Sequence, residues 1–171
     1  MPHTKESVSF LIAENQRENR VQAWQSIATC NFIRAEKWAT TDLAHSLGRF
    51  AKQRPDIVFI ADQLHKESTL DAIRIMMKLD PQSFIVGMLR TPDVALRSAM
   101  VDAGAIGIIY KPFSQLTVHQ VIASYLEYRK RLWSTDEKEI RNQLEPIQNT
   151  YRQVLTYLER EIISQHSELV R

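Results

Sequence analysis

The sequence predicts an α/β protein in which a five-stranded parallel sheet is followed by a C-terminal helical segment. Two observations predict this class. Five short apolar runs alternate along the chain with segments whose apolar residues recur at helical spacing. Parallel strands need long crossover connections, and the intervening helices supply them on both faces of the sheet.

The five predicted strands are short runs rich in Val, Ile and Phe, residues that suit a pleated and buried surface. The central run, from Ile57 to Ile60, is continuously apolar, which is typical of a parallel strand buried on both faces. The predicted strands are residues 7–13, 32–35, 57–60, 84–89 and 106–110.

The predicted helices are identified by apolar spacing and by start and stop signals. In the first helix, Val21, Trp24 and Ile27 recur at helical spacing. Asp42 and Ser68 are candidate N-caps of the second and third helices. Proline and glycine signals supply the remaining bounds: the second helix ends before Pro55, the third at Asp80-Pro81, the fourth covers 93–102 and the fifth covers 114–131.

Composition excludes several classes of function. The 171 residues are 44% hydrophobic and 25% charged, as in an ordinary globular protein, and the net charge of +2 is too small for a chain that tracks nucleic-acid phosphates. The single cysteine, Cys30, excludes a disulfide framework and a Cys-rich zinc site, and five scattered histidines form no metal motif. We therefore expect no metal and no cofactor.

Location and catalysis are constrained by what the sequence lacks. It has no apolar run of membrane-spanning length and no signal-peptide pattern, so we expect a cytoplasmic protein with no membrane partner. With four glycines it has no glycine-rich phosphate loop, which disfavours a nucleotide-dependent enzyme. We expect no enzymatic activity.

The charge distribution divides the chain into two parts near Trp133. Residues 1–133 carry a net charge of +4 and residues 134–171 a net charge of −2. At the join, a basic stretch that suits a helix C-terminus is followed by Ser-Thr-Asp-Glu, which suits a helix start. We predict an α/β domain over 1–133 and a helical extension over 134–171.

In an open parallel sheet the functional site lies outside the carboxyl ends of the strands, where the strand order reverses. The residues at these ends are therefore the candidates. They are Glu14 and Asn15 after the first strand, Ala61 and Asp62 after the third, Leu89 and Arg90 at the fourth, and Lys111 after the fifth.

Two stretches carry a resemblance to a known family. The run Pro-Asp-Ile-Val-Phe-Ile at residues 55–60 resembles the third strand of the receiver domain of bacterial response regulators. The sequence Asp-Ala-Gly-Ala at 102–105, followed by Lys-Pro-Phe at 111–113, resembles the end of that family's fourth helix and fifth strand. The resemblance covers about residues 7–130 and implies a flavodoxin-like (CheY-like) fold and a role in two-component signal transduction.

The resemblance also implies where phosphoryl chemistry would occur. Receivers carry the phosphoryl group on an aspartate of the third strand, beside an acidic pair that holds Mg²⁺, with a hydroxyl and a lysine on the phosphoryl oxygens. In this sequence the acceptor position is Ala61, and the acidic pair is Glu14 with Asn15. The hydroxyl position is Leu89 and the switch aromatic is Ile108, so only Glu14 and Lys111 remain.

These replacements predict a pseudo-receiver that is not phosphorylated at the usual position. Asp62 is the remaining alternative acceptor, although strand alternation is expected to aim its side chain away from the site. We expect Lys111 to pair with Glu14 or with Asp62. Arg90 is either a resident cation in the pocket or a solvated loop arginine, and the sequence leaves both open.

Output is expected through protein contact and through the tail. The resemblance implies a partner surface around Arg97, Ile108, Val118, Val121 and Tyr125. In the extension, apolar residues at spacings of four and three form a seam interrupted by Pro146, which favours a homodimer, with folding back onto the same chain as the alternative. The seam residues are Ile140, Leu144, Ile147, Tyr151, Val154 and Leu158.

Three hypotheses of function remain from the sequence. The first is a degenerate response regulator that acts by phosphorylation-independent protein–protein interaction. The second is a transcription or antitermination factor that binds DNA or RNA through the tail, although the tail has no helix-turn-helix pattern and is acidic overall. The third is a receiver phosphorylated at Asp62.

Overall fold

The structure is a computed structural model that describes residues 5–64 and 68–134, with residues 153, 154, 156, 157 and 160 of the extension. Five strands and five helices alternate through the first part, as predicted. The elements are β1 (Glu6–Ala13), α1 (Arg17–Ala28), β2 (Ile33–Thr40), α2 (Leu43–Gln53), β3 (Ile57–Ala61), α3 (Thr69–Leu79), β4 (Phe84–Leu89), α4 (Val94–Ala103), β5 (Gly107–Tyr110) and α5 (Gln115–Ser134).

The strands form one parallel sheet in the order β2-β1-β3-β4-β5. The chain leaves β1 toward β2 and then returns to the other side of β1 as β3. The strand order therefore reverses between β1 and β3, and the crevice at their carboxyl ends is where this architecture places a functional site.

The central strands form the core because they are buried on both faces. All residues of β3 and β4 are buried, and Phe10 of β1 stacks on Phe59 of β3 with ring centroids 6.5 Å apart. Each covering helix presents an apolar stripe to this sheet; Phe50 of α2 and Met76 of α3 are completely buried. This buried centre places the carboxyl ends of the inner strands side by side.

Helix starts and stops agree with the side chains at their ends. Asp42 accepts a hydrogen bond from the backbone amide of His45, Ser68 from that of Asp71, and a third N-cap, Asp93, from that of Leu96. Gly104 ends α4 with a φ of 123°, a conformation that other residues adopt only with strain.

Two elements extend three or more residues beyond the ends that the sequence predicts. Strand β2 continues to Thr40. The sequence underestimates its length because β2 is an edge strand, and its second half lacks the continuous apolar run of an inner strand. Helix α5 continues beyond Arg131 to Ser134 and so passes through the predicted join at Trp133. Among the described residues, no helix is both long and apolar enough to cross a membrane.

Candidate functional site

A buried ion pair lies at the carboxyl edge of the sheet, where β1 and β5 end. The Nζ atom of Lys111 lies 2.8 Å from Oε2 of Glu14, and the two side chains are 5% and 0% exposed. The Lys111 backbone amide donates to the Leu89 carbonyl at 2.7 Å, which holds the start of the β5–α5 loop against β4. The expected pairing of Lys111 with Glu14 is present in the structure.

The Glu14 carboxylate is fully engaged by its neighbours. Its Oε1 accepts from the backbone amide of Gln16 at 2.9 Å, and its Oε2 accepts from Asn19 Nδ2 at 3.3 Å as well as from Lys111. Arg20 donates from one guanidinium nitrogen to the carbonyls of Glu14 and Asn15, both at 2.8 Å. The start of α1 therefore closes over Glu14 with donors and a positive charge.

Asp62 is the second carboxylate of this cluster. Its Oδ1 lies 3.4 Å from Lys111 Nζ, and its side chain is only 10% exposed. Strand alternation wrongly predicts a side chain aimed away from the site. The reason is that β3 ends at Ala61, so Asp62 lies in the loop and no longer follows the pleat.

Arg90 joins the cluster from the end of β4. Its backbone amide donates to Asp62 Oδ2 at 3.3 Å, and its Nε lies 3.9 Å from the same oxygen. Its Nη2 donates to Gln63 Oε1 at 2.6 Å, while 46% of the side chain remains exposed. Arg90 therefore lies at the rim of the pocket and contacts Asp62. This position is intermediate between a cation inside the pocket and a solvated loop arginine, the two roles that the sequence leaves open.

We define the charged quartet as Glu14, Asp62, Arg90 and Lys111. Its two carboxylates and two cations give no net charge, and three of its four side chains are at most 10% exposed. Around it, Ala61 and Leu89 are fully buried and present no polar side-chain atom, while the Ala61 carbonyl accepts from Thr69 Oγ1 at 2.9 Å.

The quartet does not fit the Mg²⁺ that the receiver resemblance implies. Mg²⁺ needs near-octahedral oxygen ligands, usually with one or two carboxylates available to it. Both Asp62 and Glu14 are held by Lys111, and the acceptor position, Ala61, has no side-chain oxygen. Within the described residues, no group of three or more His, Cys, Asp and Glu side chains is placed to hold a metal.

The switch position, Ile108, packs inward. A Cβ atom added to Gly87 would lie 2.7 Å from Ile108 Cδ1 and 2.6 Å from Met100 Cε. The missing side chain of Gly87 therefore makes the room that Ile108 and Met100 occupy between β4, β5 and α4. Ile108 is half-buried in this position.

Two residues expected on the partner surface are in the core instead. Val118 is 1% exposed and Tyr125 is 7% exposed, because they lie on the face of α5 that packs on the sheet. Arg97 is exposed and Val121 is half-buried. The apolar residues that are exposed in this region are others: Val94 and Val101 on α4, Ile106 and Tyr110 at β5, and Leu116 on α5.

Sequence reasoning misses the residues that close the site from α1. Gln16, Asn19 and Arg20 bind Glu14 or its backbone, but their residue types are ordinary for the first turn of a helix. One signal was available: the spacing places all three within six residues of Glu14, at the start of the helix that follows it. Gln63, which holds Arg90, carries no such signal.

Of the tail seam, only Val154 falls among the described residues. It is half-buried and packs against the hydrophobic core, whereas Tyr157 is 64% exposed. Pro146, where the kink is predicted, lies outside the described residues. So do the other seam residues: Ile140, Leu144, Ile147, Tyr151 and Leu158.

Cys30 offers no reactive thiol. It lies two residues beyond α1 and is 4% exposed, and burial raises the pKa of its thiol above the usual range, against the smaller opposing effect of a hydrogen bond with the Phe32 backbone. Because the thiolate is the reactive form, a raised pKa makes this cysteine inert at neutral pH.

Comparisons with known proteins extend the sequence resemblance to the whole fold. No family model and no curated protein matches the sequence. A response regulator receiver domain protein from Clostridium thermocellum has a similar structure, with a TM-score of 0.66 and 16% identity over 73% of this chain and 98% of that chain.

Two further solved structures agree. A receiver domain protein (CheY-like) from Methanospirillum hungatei has a TM-score of 0.65 and 14% identity, over 74% of this chain and 99% of that chain. A two-component response regulator of the LuxR family from Aurantimonas has a TM-score of 0.65 and 17% identity, over 71% of this chain and 86% of that chain. The α/β part of this chain therefore has the flavodoxin-like fold of response regulator receiver domains.

Proposed function

We propose that this chain is a cytoplasmic signalling protein of the two-component type, a pseudo-receiver that acts by protein–protein contact without phosphorylation at the usual position. The fold shared with receiver domains supports the signalling role. The charged quartet supports a function that does not depend on phosphorylation, because its carboxylates and cations pair with one another and leave the pocket without net charge.

The observation that carries this proposal is the pairing of Lys111 with two carboxylates beside Ala61. Lys111 Nζ contacts Glu14 at 2.8 Å and Asp62 at 3.4 Å, so its charge is neutralised within the chain. A phosphoryl group would have to displace these contacts, and breaking a buried pair leaves an uncompensated charge that costs about 3–5 kcal/mol. Ala61 offers no atom to accept the group.

A small phosphodonor tests the proposal directly. The full chain is incubated with acetyl phosphate and Mg²⁺, and its intact mass is measured beside an Asp62→Asn variant. We expect no added phosphoryl group on either protein. A mass gain in the wild type that persists in Asp62→Asn would place phosphate on another residue and contradict the proposal.

The position of Asp62 favours one second candidate, a receiver phosphorylated at Asp62. Its carboxylate lies beside Lys111, where a cation could stabilise a phosphoryl group, rather than pointing away. Against it, both Asp62 oxygens already have cationic or amide partners. A mass gain in the wild type that Asp62→Asn abolishes would establish this candidate and exclude the first.

Nucleic-acid binding is a weaker candidate. The basic run at the end of α5 is partly paired inside the chain: Lys130 lies 3.4 Å from Glu127, and Arg129 lies 3.9 Å from Glu6 and donates to the Ser7 carbonyl. Charges committed in this way contribute little to phosphate binding. A mobility shift that weakens steeply with salt would support this candidate instead.

The C-terminal extension is proposed as the dimerisation element. The heptad-like seam supports it, since some three dozen residues form too small a core alone. Val154 is half-buried against the core, and this burial is what the alternative, folding back onto the same chain, predicts for that position. Sedimentation of the full chain separates the two: a homodimer supports the proposal and a monomer supports folding back.

The protein output is tested by capture from native lysate after nuclease treatment. The full chain serves as bait beside an Arg97→Ala, Val101→Ser variant, which tests the contact face because both residues are exposed on α4. Because the proposal places partner contact near α4, we expect a protein captured by the wild type to be lost from the variant. Equal capture by both would exclude α4 as the contact face.

A further inference from the structure

The strand β2 leaves one side of the sheet open. It pairs with β1 continuously from Ile33 to Thr40, and within the described part of the chain no strand pairs with its other side. An edge strand of this length presents a row of backbone donors and acceptors, which proteins usually protect or pair with another chain. The outer side of β2 is therefore a candidate interaction surface.

One hydrogen bond identifies the backbone groups of β2 that face outward. The Glu14 amide donates to the Thr40 carbonyl at 3.0 Å, so the backbone of Thr40 faces β1. Because backbone groups in a regular strand point alternately to its two sides, the even-numbered residues of β2 bond β1 and the odd-numbered ones face outward. The outward amides and carbonyls are those of Ile33, Ala35, Lys37 and Ala39.

The side chains of β2 carry opposite charges at positions that suit pairing with a second copy of the strand. Arg34 and Glu36 are exposed and share one face because they are two residues apart, and among the described residues neither forms a hydrogen bond or an ion pair. In an antiparallel pair centred on Ala35, Arg34 of each copy lies opposite Glu36 of the other. Opposite charges directly across two strands stabilise their pairing, whereas like charges oppose it.

The same charges disfavour the neighbouring registers. Centring the pair on residue 34, 36 or 37 would place Arg34, Glu36 or Lys37 opposite its own copy. The register centred on Ala35 avoids all three of these contacts. It also aligns outward-facing backbone groups, Ala35 with Ala35 and Ile33 with Lys37, which gives a ladder of about six hydrogen bonds.

Two exposed apolar side chains flank this edge on one face of the sheet. Lys37 Nζ lies 4.8 Å from the centre of the Trp24 ring, so α1 covers the later half of β2, and Val21, one turn before Trp24, is exposed there. Phe32, just before β2, is also exposed, and its ring contacts His119 of α5, which lies beside α1 on the same face. In an antiparallel pair the start of one β2 lies beside the later half of the other, so Phe32 approaches Val21 of the second copy.

We propose that β2 binds β2 of a second copy of this chain, antiparallel and centred on Ala35, so that two five-stranded sheets join into one. The interface is small, with about six backbone hydrogen bonds and the paired charges of Arg34 and Glu36, so it forms at higher protein concentration than pairing through the extension. It depends neither on the charged quartet nor on the seam of the extension.

Reversing one charge tests both the contact and its register. Sedimentation velocity of the full chain over a concentration series is expected to show an association step at high concentration. Arg34→Glu places like charges across the pair twice and is expected to weaken this step about tenfold, whereas Arg34→Glu with Glu36→Arg is expected to restore it. A wild type without the step, or a step that Arg34→Glu leaves unchanged, would overturn the proposal. Failure of the double variant to restore the step would overturn the proposed register.

Blocking the backbone gives a second test of the same contact. Ala35→Pro removes the amide at the centre of the proposed ladder, while the hydrogen bonds to β1 stay intact because this amide faces outward. We expect the association step to be lost. Ala39→Pro is the matched control: its amide also faces outward, but it lies beyond the paired residues 33–37, so association should persist. Association that persists in Ala35→Pro would contradict the assignment to β2.

Discussion

At the scale of single residues, the pocket depends on how each charge is neutralised. Glu14 is completely buried, and Lys111 and two further donors, the Gln16 amide and the Asn19 side chain, contact its carboxylate. Buried charges of this kind stabilise a fold little as a pair, but removing one partner is costly. The four members of the quartet are therefore energetically coupled.

We predict that Lys111→Met destabilises the protein by about 3 kcal/mol, because it leaves Glu14 buried with its main counter-charge removed. The double variant Glu14→Gln, Lys111→Met is expected to recover most of this loss. Urea unfolding measures both. Lys130→Met, which removes an exposed pair with Glu127, is the control and should change stability by less than about 1 kcal/mol. Additive effects in the double variant would contradict the coupling.

Tyr125 carries a second residue-scale prediction. Its hydroxyl donates to Asp56 at 2.7 Å, and Tyr125→Phe should cost about 2 kcal/mol at neutral pH by leaving that oxygen without its donor. Tyr110→Phe, at an exposed position, is the control and should lie within about 0.5 kcal/mol of the wild type.

The same residue predicts a pH dependence. Burial, followed by the hydrogen bond to Asp56 and its charge, raises the pKa of Tyr125 far above its ordinary value of about 10. The protonated form is favoured in the folded state, so its stabilisation is complete below about pH 10 and is lost as the pH rises above that value. Unfolding free energies measured from neutral to strongly alkaline pH should fall less steeply in Tyr125→Phe; equal slopes would contradict this.

The sequence predicts the residue identities of the pocket but not all of their directions. Glu14, Ala61 and Lys111 could be placed because parallel strands end at one edge, and the structure brings them together. Asp62 could not, because where a strand ends decides whether alternation still applies. Val118 and Tyr125 were misplaced because the inward and outward faces of α5 both carry apolar residues.

At the scale of elements, the bounds of buried strands were easier to predict from the sequence than those of solvent-exposed ones. The inner strands and the capped helices were recognisable, since β4 has the predicted bounds and Asp42 and Ser68 cap their helices as expected. Edge strand β2 was underestimated because half of it faces solvent. The end of α5 was underestimated because basic residues in a last turn indicate, but do not enforce, a helix end.

The turn after α4 provides an element-scale prediction. Gly104 has a φ of 123°, and a Cβ there would also meet the Met77 side chain, so Gly104→Ala should cost about 2 kcal/mol or more. Gly107→Ala is the matched control, because an added Cβ meets no atom within 4 Å. Thermal and urea unfolding of the two variants measure the difference. Equal stabilities would show that α4 does not depend on this left-handed turn.

At the scale of the whole molecule, the receiver fold and the extension divide the work in our proposal. In this proposal the receiver fold provides a pocket without net charge, and the extension pairs with the extension of a second copy of the chain. We predict that Leu144→Asp with Leu158→Asp, two seam positions, converts the full chain from dimer to monomer in sedimentation velocity, since charges in a seam oppose association. Gln153→Asp, at an exposed position, should leave the dimer intact. A wild type that is already monomeric would contradict the dimer.

The central claim is that the charged quartet, and not Mg²⁺ with a phosphoryl group, fills the pocket. Backbone amide NMR of the full chain during a MgCl₂ titration, matched in ionic strength with NaCl, tests it most directly. Because Lys111 already engages Glu14 and Asp62, we predict that the amides of residues 14, 15, 62 and 90 show no saturable shift. A saturable shift confined to those residues would show a working metal site and contradict the account.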